Sequence, residues 1–318
     1  MNIRSIFACA LLLSPLLSAA PAVAQATRPE PAQPLLTPDE VNARSARFQA
    51  RVDEAARALD NEPALKKFTH QQRKDLVEFV VGNMLFALAH EMGHAHVTEM
   101  GLPVLGREED AADSYAVLLM LKMGSELSHK VLVEASKGWF LTDEREQKEG
   151  IKPAFYDEHG MNKQRAYQIV CLMVGSDPDK FGDLADQVKM PEDRQGTCQG
   201  DYSNASWSWE FVLKPHLRTA DMPKQKLDVV YGPATGKYGA IGQAFRTIGL
   251  LDPLAAYAAE RFVWRKPFQL EAQTCGQPDT HWDLSAHKLL TCYEMAEDFA
   301  VLYRDYVLLK NRTQDHNR

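Results

Sequence analysis

Apolar and polar positions alternate along this chain mostly with helical spacing, which predicts a mainly α protein of α+β class with a small β element near its C-terminus. Thr37-Pro38-Asp39-Glu40 reads as a capped helix start, with Pro38 in the first turn and Glu40 closing a capping box. That helix is expected to run to about Leu59, where Asp60-Asn61-Glu62-Pro63 ends it. A second helix starts near Thr69 and carries Leu76, Phe79, Val80, Met84, Leu85 and Leu88. Gly101-Leu102-Pro103-Val104-Leu105-Gly106 breaks it. A new helix opens at Arg107, with Glu108, Glu109 and Asp110 where the helix dipole favours acids. Helical spacing returns at about 125–140, 161–174 and 240–261, the last interrupted at Asp252-Pro253. The polar stretch 177–206 reads as loop. Residues 227–231 read as a short strand. Residues 268–272 and 288–293 read as the arms of a hairpin, followed by a terminal helix over about 294–310.

The first residues follow another pattern. A short positive start, Met1-Asn2-Ile3-Arg4, precedes an apolar core over 6–17, and Ala22-Val23-Ala24 fits a signal-peptidase site. The expected organisation is a signal peptide over 1–24, a proline-rich flexible leader over 25–36, and one domain over 37–318. Within that domain the chemistry is expected over about 69–175, with the C-terminal hairpin and helix over about 265–310. No later segment reaches 18 uninterrupted apolar residues, so no stable membrane insertion is expected.

Charge and cysteines narrow the picture. A net charge of −7 argues against a nucleic-acid partner. An exported protein, periplasmic or secreted, keeps Cys171, Cys198, Cys275 and Cys292 once the signal is removed. An even count in an oxidising compartment favours disulfides, and three pairings are open. Local loop closure favours Cys171–Cys198 and Cys275–Cys292, because each pair brackets one turn-rich segment.

The candidate chemistry lies in His90-Glu91-Met92-Gly93-His94. Positions four apart share a helix face, so His90 and His94 can aim two imidazoles at one metal ion, with Glu91 beside them to act on a water. Gly93, with no side chain, would let another backbone come close. A catalytic zinc needs a third protein ligand and an open position. Glu109 supplies the ligand if the segment 101–106 reverses the chain, with Glu108, Asp110 and Asp113 as rivals. Asp113, one turn after Glu109, can accept the second ring N–H of a ligating histidine. His96 points to another side of the helix and reads as a surface or packing residue. His159 could donate to a developing oxyanion, or be an ordinary loop histidine. Arg165 reads as an ion-pair partner of Asp157 or Glu158.

The run from Ala89 to Leu119, His-Glu-Met-Gly-His through Arg-Glu-Glu-Asp-Ala-Ala-Asp, resembles a bacterial family described as metallopeptidases, with no assigned physiological role. Asp157-Glu158-His159 with Gln164-Arg165 and Cys171, and Cys275-Gly276 with Cys292-Tyr293-Glu294, are similar to further segments of it. In that family the cysteine hairpin precedes the metal helix, whereas here it follows. More loosely the chain resembles the gluzincins. That resemblance implies a zincin-like fold, one Zn2+ held by His90, His94 and Glu109, Glu91 as general base and Asp113 behind a ligating histidine. It also implies a peptide or protein substrate. The competing expectation is an exported metal-binding or scaffold protein whose zincin-like site does not cleave peptides.

Overall fold

Residues 38–223 and 225–316 are described by the computed structural model, so the expected signal peptide, the leader and the Thr37 cap lie outside the described residues. These residues form eleven α-helices and four strands. In chain order the helices begin with α1 (Pro38–Ala58), α2 (His70–Met100), α3 (Glu108–Met123), α4 (Glu126–Glu149) and α5 (Asn162–Ser176). They continue with α6 (Pro178–Gln187), α7 (Glu192–Gln195), α8 (Cys198–Leu213), α9 (Gly239–Ile248), α10 (Asp252–Arg261) and α11 (Tyr293–His316). The strands are β1 (Asp228–Tyr231), β2 (Gln269–Gln273), β3 (Thr280–Asp283) and β4 (Lys288–Cys292). The mainly helical α+β class expected from the sequence is the class observed.

The other elements are assembled on α2. Its ends are fixed locally: Thr69 and Gln72 close a reciprocal capping box, and Gly101, left-handed at φ 64°, stops it. By length and composition α2 could cross a membrane, yet 78% of its most apolar window is buried. It is hydrophobic all round because it is a core helix. Leu88, Met92 and Met84 are fully enclosed, together with Leu132 of α4 and Ile169, Leu172 and Met173 of α5. Helices α1, α3, α4 and α11 and strands β3 and β4 all pack against α2. Where α3 crosses it, a Cβ on Gly93 would lie 2.9 Å from Ala112 Cα, so the glycine permits the close approach that its sequence position suggested.

Two expectations about secondary structure need correction. The stretch 177–206 is not loop. Asp177 caps α6 by accepting from Lys180 N at 3.0 Å, with Pro178 at the first helical position, and α7 and α8 follow. It looked loop-like because α6 buries only Phe181 and Ala185. A disulfide between Cys171 and Cys198 joins α5 to the start of α8, with Cα atoms 5.1 Å apart.

The C-terminal strands also differ from the expected hairpin. The sheet order is β1-β2-β4-β3, and β2 runs parallel to β4, with Leu270 opposite Leu289. The return path is taken by β3, which sequence reading missed and which pairs antiparallel with β4 on the outer edge. Two parallel strands cannot be joined by a tight turn. Here the intervening chain forms the edge strand, and a disulfide between Cys275 and Cys292 ties the exit of β2 to the end of β4.

Candidate metal centre

His90 and His94 lie on the face of α2 that meets the first turn of α3, and their Nε2 atoms approach to 3.1 Å. The reversal at Gly101 and the contact at Gly93 bring Glu109 over both rings. Its Oε2 is 3.0 Å from His90 Nε2 and its Oε1 is 3.4 Å from His94 Nε2. Each ring is also held from behind. His90 Nδ1–H donates to Asp113 Oδ1 at 2.8 Å, and His94 Nδ1–H donates to Glu108 Oε1 at 2.8 Å. An ionised carboxylate only accepts, so each Nδ1 carries its proton, and it is Nε2 that can give up its proton and offer a lone pair to an ion.

Three groups that can each offer a lone pair to an ion therefore converge: two ring nitrogens, once deprotonated, and a carboxylate. Separations of 3.0–3.4 Å are close to the roughly 3.3 Å between donors around a tetrahedral ion with bonds of about 2.0–2.1 Å. The nitrogen and oxygen donor set suits zinc, and the residues present fit such an ion. The same convergence makes the rings strongly basic. Burial disfavours charge on His94, but Glu109 and Glu108 outweigh it and push its pKa up to about 9. Burial also opposes charge on His90, and there Asp113 and Glu109 win, so its pKa is raised. Burial acts to raise the Glu109 carboxyl, yet His159, His90 and His94 hold it far below the usual carboxylate range.

Glu91 sits one residue past His90, largely buried. Its Oε2 accepts from the backbone N–H of Trp282 on β3 at 2.9 Å, and its Oε1 is 4.0 Å from His90 Nε2. Burial raises its carboxyl pKa, against the pull of His90 and His94. Asp113 is itself gripped by Arg165, whose Nε donates to Oδ2 and whose Nη2 donates to Oδ1, both at 2.7 Å. The Arg165 guanidinium lies 3.9 Å over the Trp139 ring. This corrects the sequence expectation for Arg165: the first turn of α5 faces α3, so the side chain points inward to Asp113 and not to Asp157 or Glu158.

His159 stands at the other side of Glu109, with Nε2 3.0 Å from Oε2 and Nδ1 3.1 Å from Asp157 Oδ1. His96 is drawn away from the site. It is completely buried, paired with Tyr115 Oη at 2.8 Å and stacked on Trp264 at 4.6 Å, which makes it a packing residue.

The structure thus brings together His90, Glu91, His94, Glu109, Asp113 and His159. Sequence reasoning missed three contacts: Glu108 behind His94, Arg165 behind Asp113, and the Trp282 N–H on Glu91. The alternation of Thr280 and Trp282 with polar neighbours was a strand signal for the last of these, in only four residues.

A family model described as "Putative metallopeptidase" matches residues 55–213, half of the chain. The match spans α2 to α8, hence every side chain of the centre, while the sheet with Trp282 lies beyond it. No curated protein and no solved structure matches the chain.

Proposed function

The chain belongs to that metallopeptidase family, and from this membership we propose that it is an exported zinc peptidase that hydrolyses peptide bonds in peptide or protein substrates. The observation that carries the reading is the convergence of His90 Nε2, His94 Nε2 and the Glu109 carboxylate, with each ring fixed from behind by an acid. These three residues would hold one zinc ion, with Asp113 orienting His90. Zinc bound there supplies Lewis acidity toward a water and a substrate carbonyl.

Glu91 acts as the base. It takes a proton from the attacking water and returns it to the departing amine as the C–O bond forms and the peptide C–N bond breaks. Its raised pKa suits that exchange, and the Trp282 N–H fixes one carboxylate oxygen while the other faces His90. Because β3 is the edge strand, an extended peptide can pair along its outer side beside the histidines, next to the Trp282 N–H that Glu91 occupies.

The test compares native protein with Glu91→Gln on casein and a peptide panel after zinc loading. Both should bind one zinc, and cleavage should fall by about 10²–10⁴ in the variant. Equal cleavage by the two proteins rules this mechanism out.

One observation favours a second reading, a metal-binding protein without proteolysis. His159 beside Glu109 adds another nitrogen donor, and structural zinc sites have four protein ligands. Stoichiometric zinc with no cleavage of any panel member would select it. In either reading, two disulfides suit an oxidising compartment. We assign residues 1–24 as an export signal, 25–36 as a leader and 37–318 as one domain working in the periplasm or outside the cell.

A further inference from the structure

Each of the three histidines around Glu109 is built in the same way. His90 rests its Nδ1 on Asp113 at 2.8 Å, His94 on Glu108 at 2.8 Å, and His159 on Asp157 at 3.1 Å. All three aim Nε2 at the Glu109 carboxylate, at 3.0, 3.4 and 3.0 Å. A carboxylate behind the ring fixes the tautomer and turns the other nitrogen into a donor, the usual preparation of a metal-ligating histidine. His159 therefore carries the mark of a ligand although it lies outside the His-Glu-x-x-His helix. The donor atoms of His90, Glu109 and His159 all lie within 4.8 Å of one another.

Its support differs from that of the other two. His90 and His94 stand on a core helix, whereas His159 belongs to the connection between α4 and α5. That connection starts at Gly150 (φ 72°), exposes Phe155 and Tyr156 almost fully, and leaves the His159 side chain 41% accessible.

We propose that His159 is a fourth, displaceable donor to the ion held by His90, His94 and Glu109. It closes the coordination sphere in the resting protein and leaves it when substrate enters. The inference rests on the zinc reading above. The exchange is balanced without any redox step: neutral imidazole withdraws its lone pair, and a neutral water or peptide carbonyl offers one in its place. The transition-state role suggested by sequence would instead need an Nε2–H turned toward substrate, and in this structure Nε2 faces Glu109.

The test uses the full exported chain loaded with zinc or cobalt(II), as native protein, His159→Ala, His159→Gln and Asp157→Ala, with folding checked by circular dichroism. Zinc affinity, measured by chelator competition, should drop in His159→Ala by at least the roughly tenfold that loss of an outer-shell partner costs. It should drop less in Asp157→Ala. The visible cobalt bands should shift in His159→Ala, and acetohydroxamate should bind that variant more tightly than the native protein. His159→Gln keeps most of the side-chain volume, so the same loss there separates ligation from packing.

If native protein binds zinc and His159→Ala matches it in affinity and cobalt spectrum, the inference fails and the zinc site stands. A lower turnover with those two readouts unchanged also overturns it, and returns His159 to transition-state stabilisation. If the native protein takes up no zinc, the proposed function fails and the inference with it.

Discussion

Arg165 and Gly93 show how single residues set this site without touching the converging donors. Arg165 fixes both oxygens of a buried carboxylate, and that carboxylate fixes His90. Removing the guanidinium in Arg165→Met leaves Asp113 short of its cation, which should cost about 3–5 kcal/mol of stability. Zinc affinity should also weaken about 10–100-fold. Urea unfolding and chelator competition measure the two effects, and Arg165→Lys should recover part of the affinity, since a point charge replaces the bidentate fork. An Arg165→Met protein with native zinc affinity would show that Asp113 orients His90 without help. Gly93→Ala should cost about 1–3 kcal/mol, because the added Cβ meets the α3 backbone at Ala112. At this scale the sequence was legible within a helix, where periodicity puts His90 with His94 on one face of α2 and Glu109 with Asp113 on one face of α3. Arg165, Glu108 and the Trp282 N–H depend on how elements cross, which no local spacing reveals.

Between elements, the decisive contact is that of β3 with α2, because the edge strand supplies the N–H that holds Glu91. The helices α2, α3, α9 and α10 were readable because caps and Gly or Pro breaks mark their ends. The segments α6 and α8 were hidden by polar composition, since burial of a few side chains and one disulfide stabilises them. The hairpin reading failed for a related reason. Two apolar runs around a turn-rich segment look alike whether they pair with each other through a turn or lie parallel with a third strand between. The Cys275–Cys292 bridge spans 17 residues and encloses β3. Replacing both cysteines by serine should therefore cost about 3 kcal/mol. It should also lower turnover more than zinc affinity, because Glu91 loses a firmly held partner while the ligands on α2 and α3 do not. Thermal unfolding together with separate determination of zinc affinity and kcat checks this. Equal losses in kcat and zinc binding would mean that the sheet supports the whole centre and not Glu91 in particular.

For the whole molecule, acid stability follows from a histidine outside the metal centre. His96 is enclosed by Tyr115, Phe262 and Trp264, which belong to α3 and to the chain entering the sheet, so its ring joins the helical layers to the C-terminal section. Burial, with a smaller contribution from the His216 charge, pushes its pKa down to about 3 from an ordinary 6.5. The sign follows from proton counting. Between pH 6.5 and 3 the unfolded chain binds a proton at this position and the folded chain does not. Acid therefore favours unfolding, and the stability present above pH 6.5 is lost as pH falls through that window. The slope for one such group is about 1.4 kcal/mol per pH unit. Buried carboxylates titrate in the same range, so the measurement is a difference: urea unfolding of native protein and His96→Gln at pH 7, 6, 5 and 4, in excess chelator to keep zinc release out of the balance. Glutamine can still pair with the Tyr115 hydroxyl and cannot take up a proton. Native protein should lose stability faster than the variant below pH 6.5, by about one proton's worth of slope. Parallel curves would mean that His96 gains a proton in the folded state, and hence that water reaches the layer between α2 and Trp264.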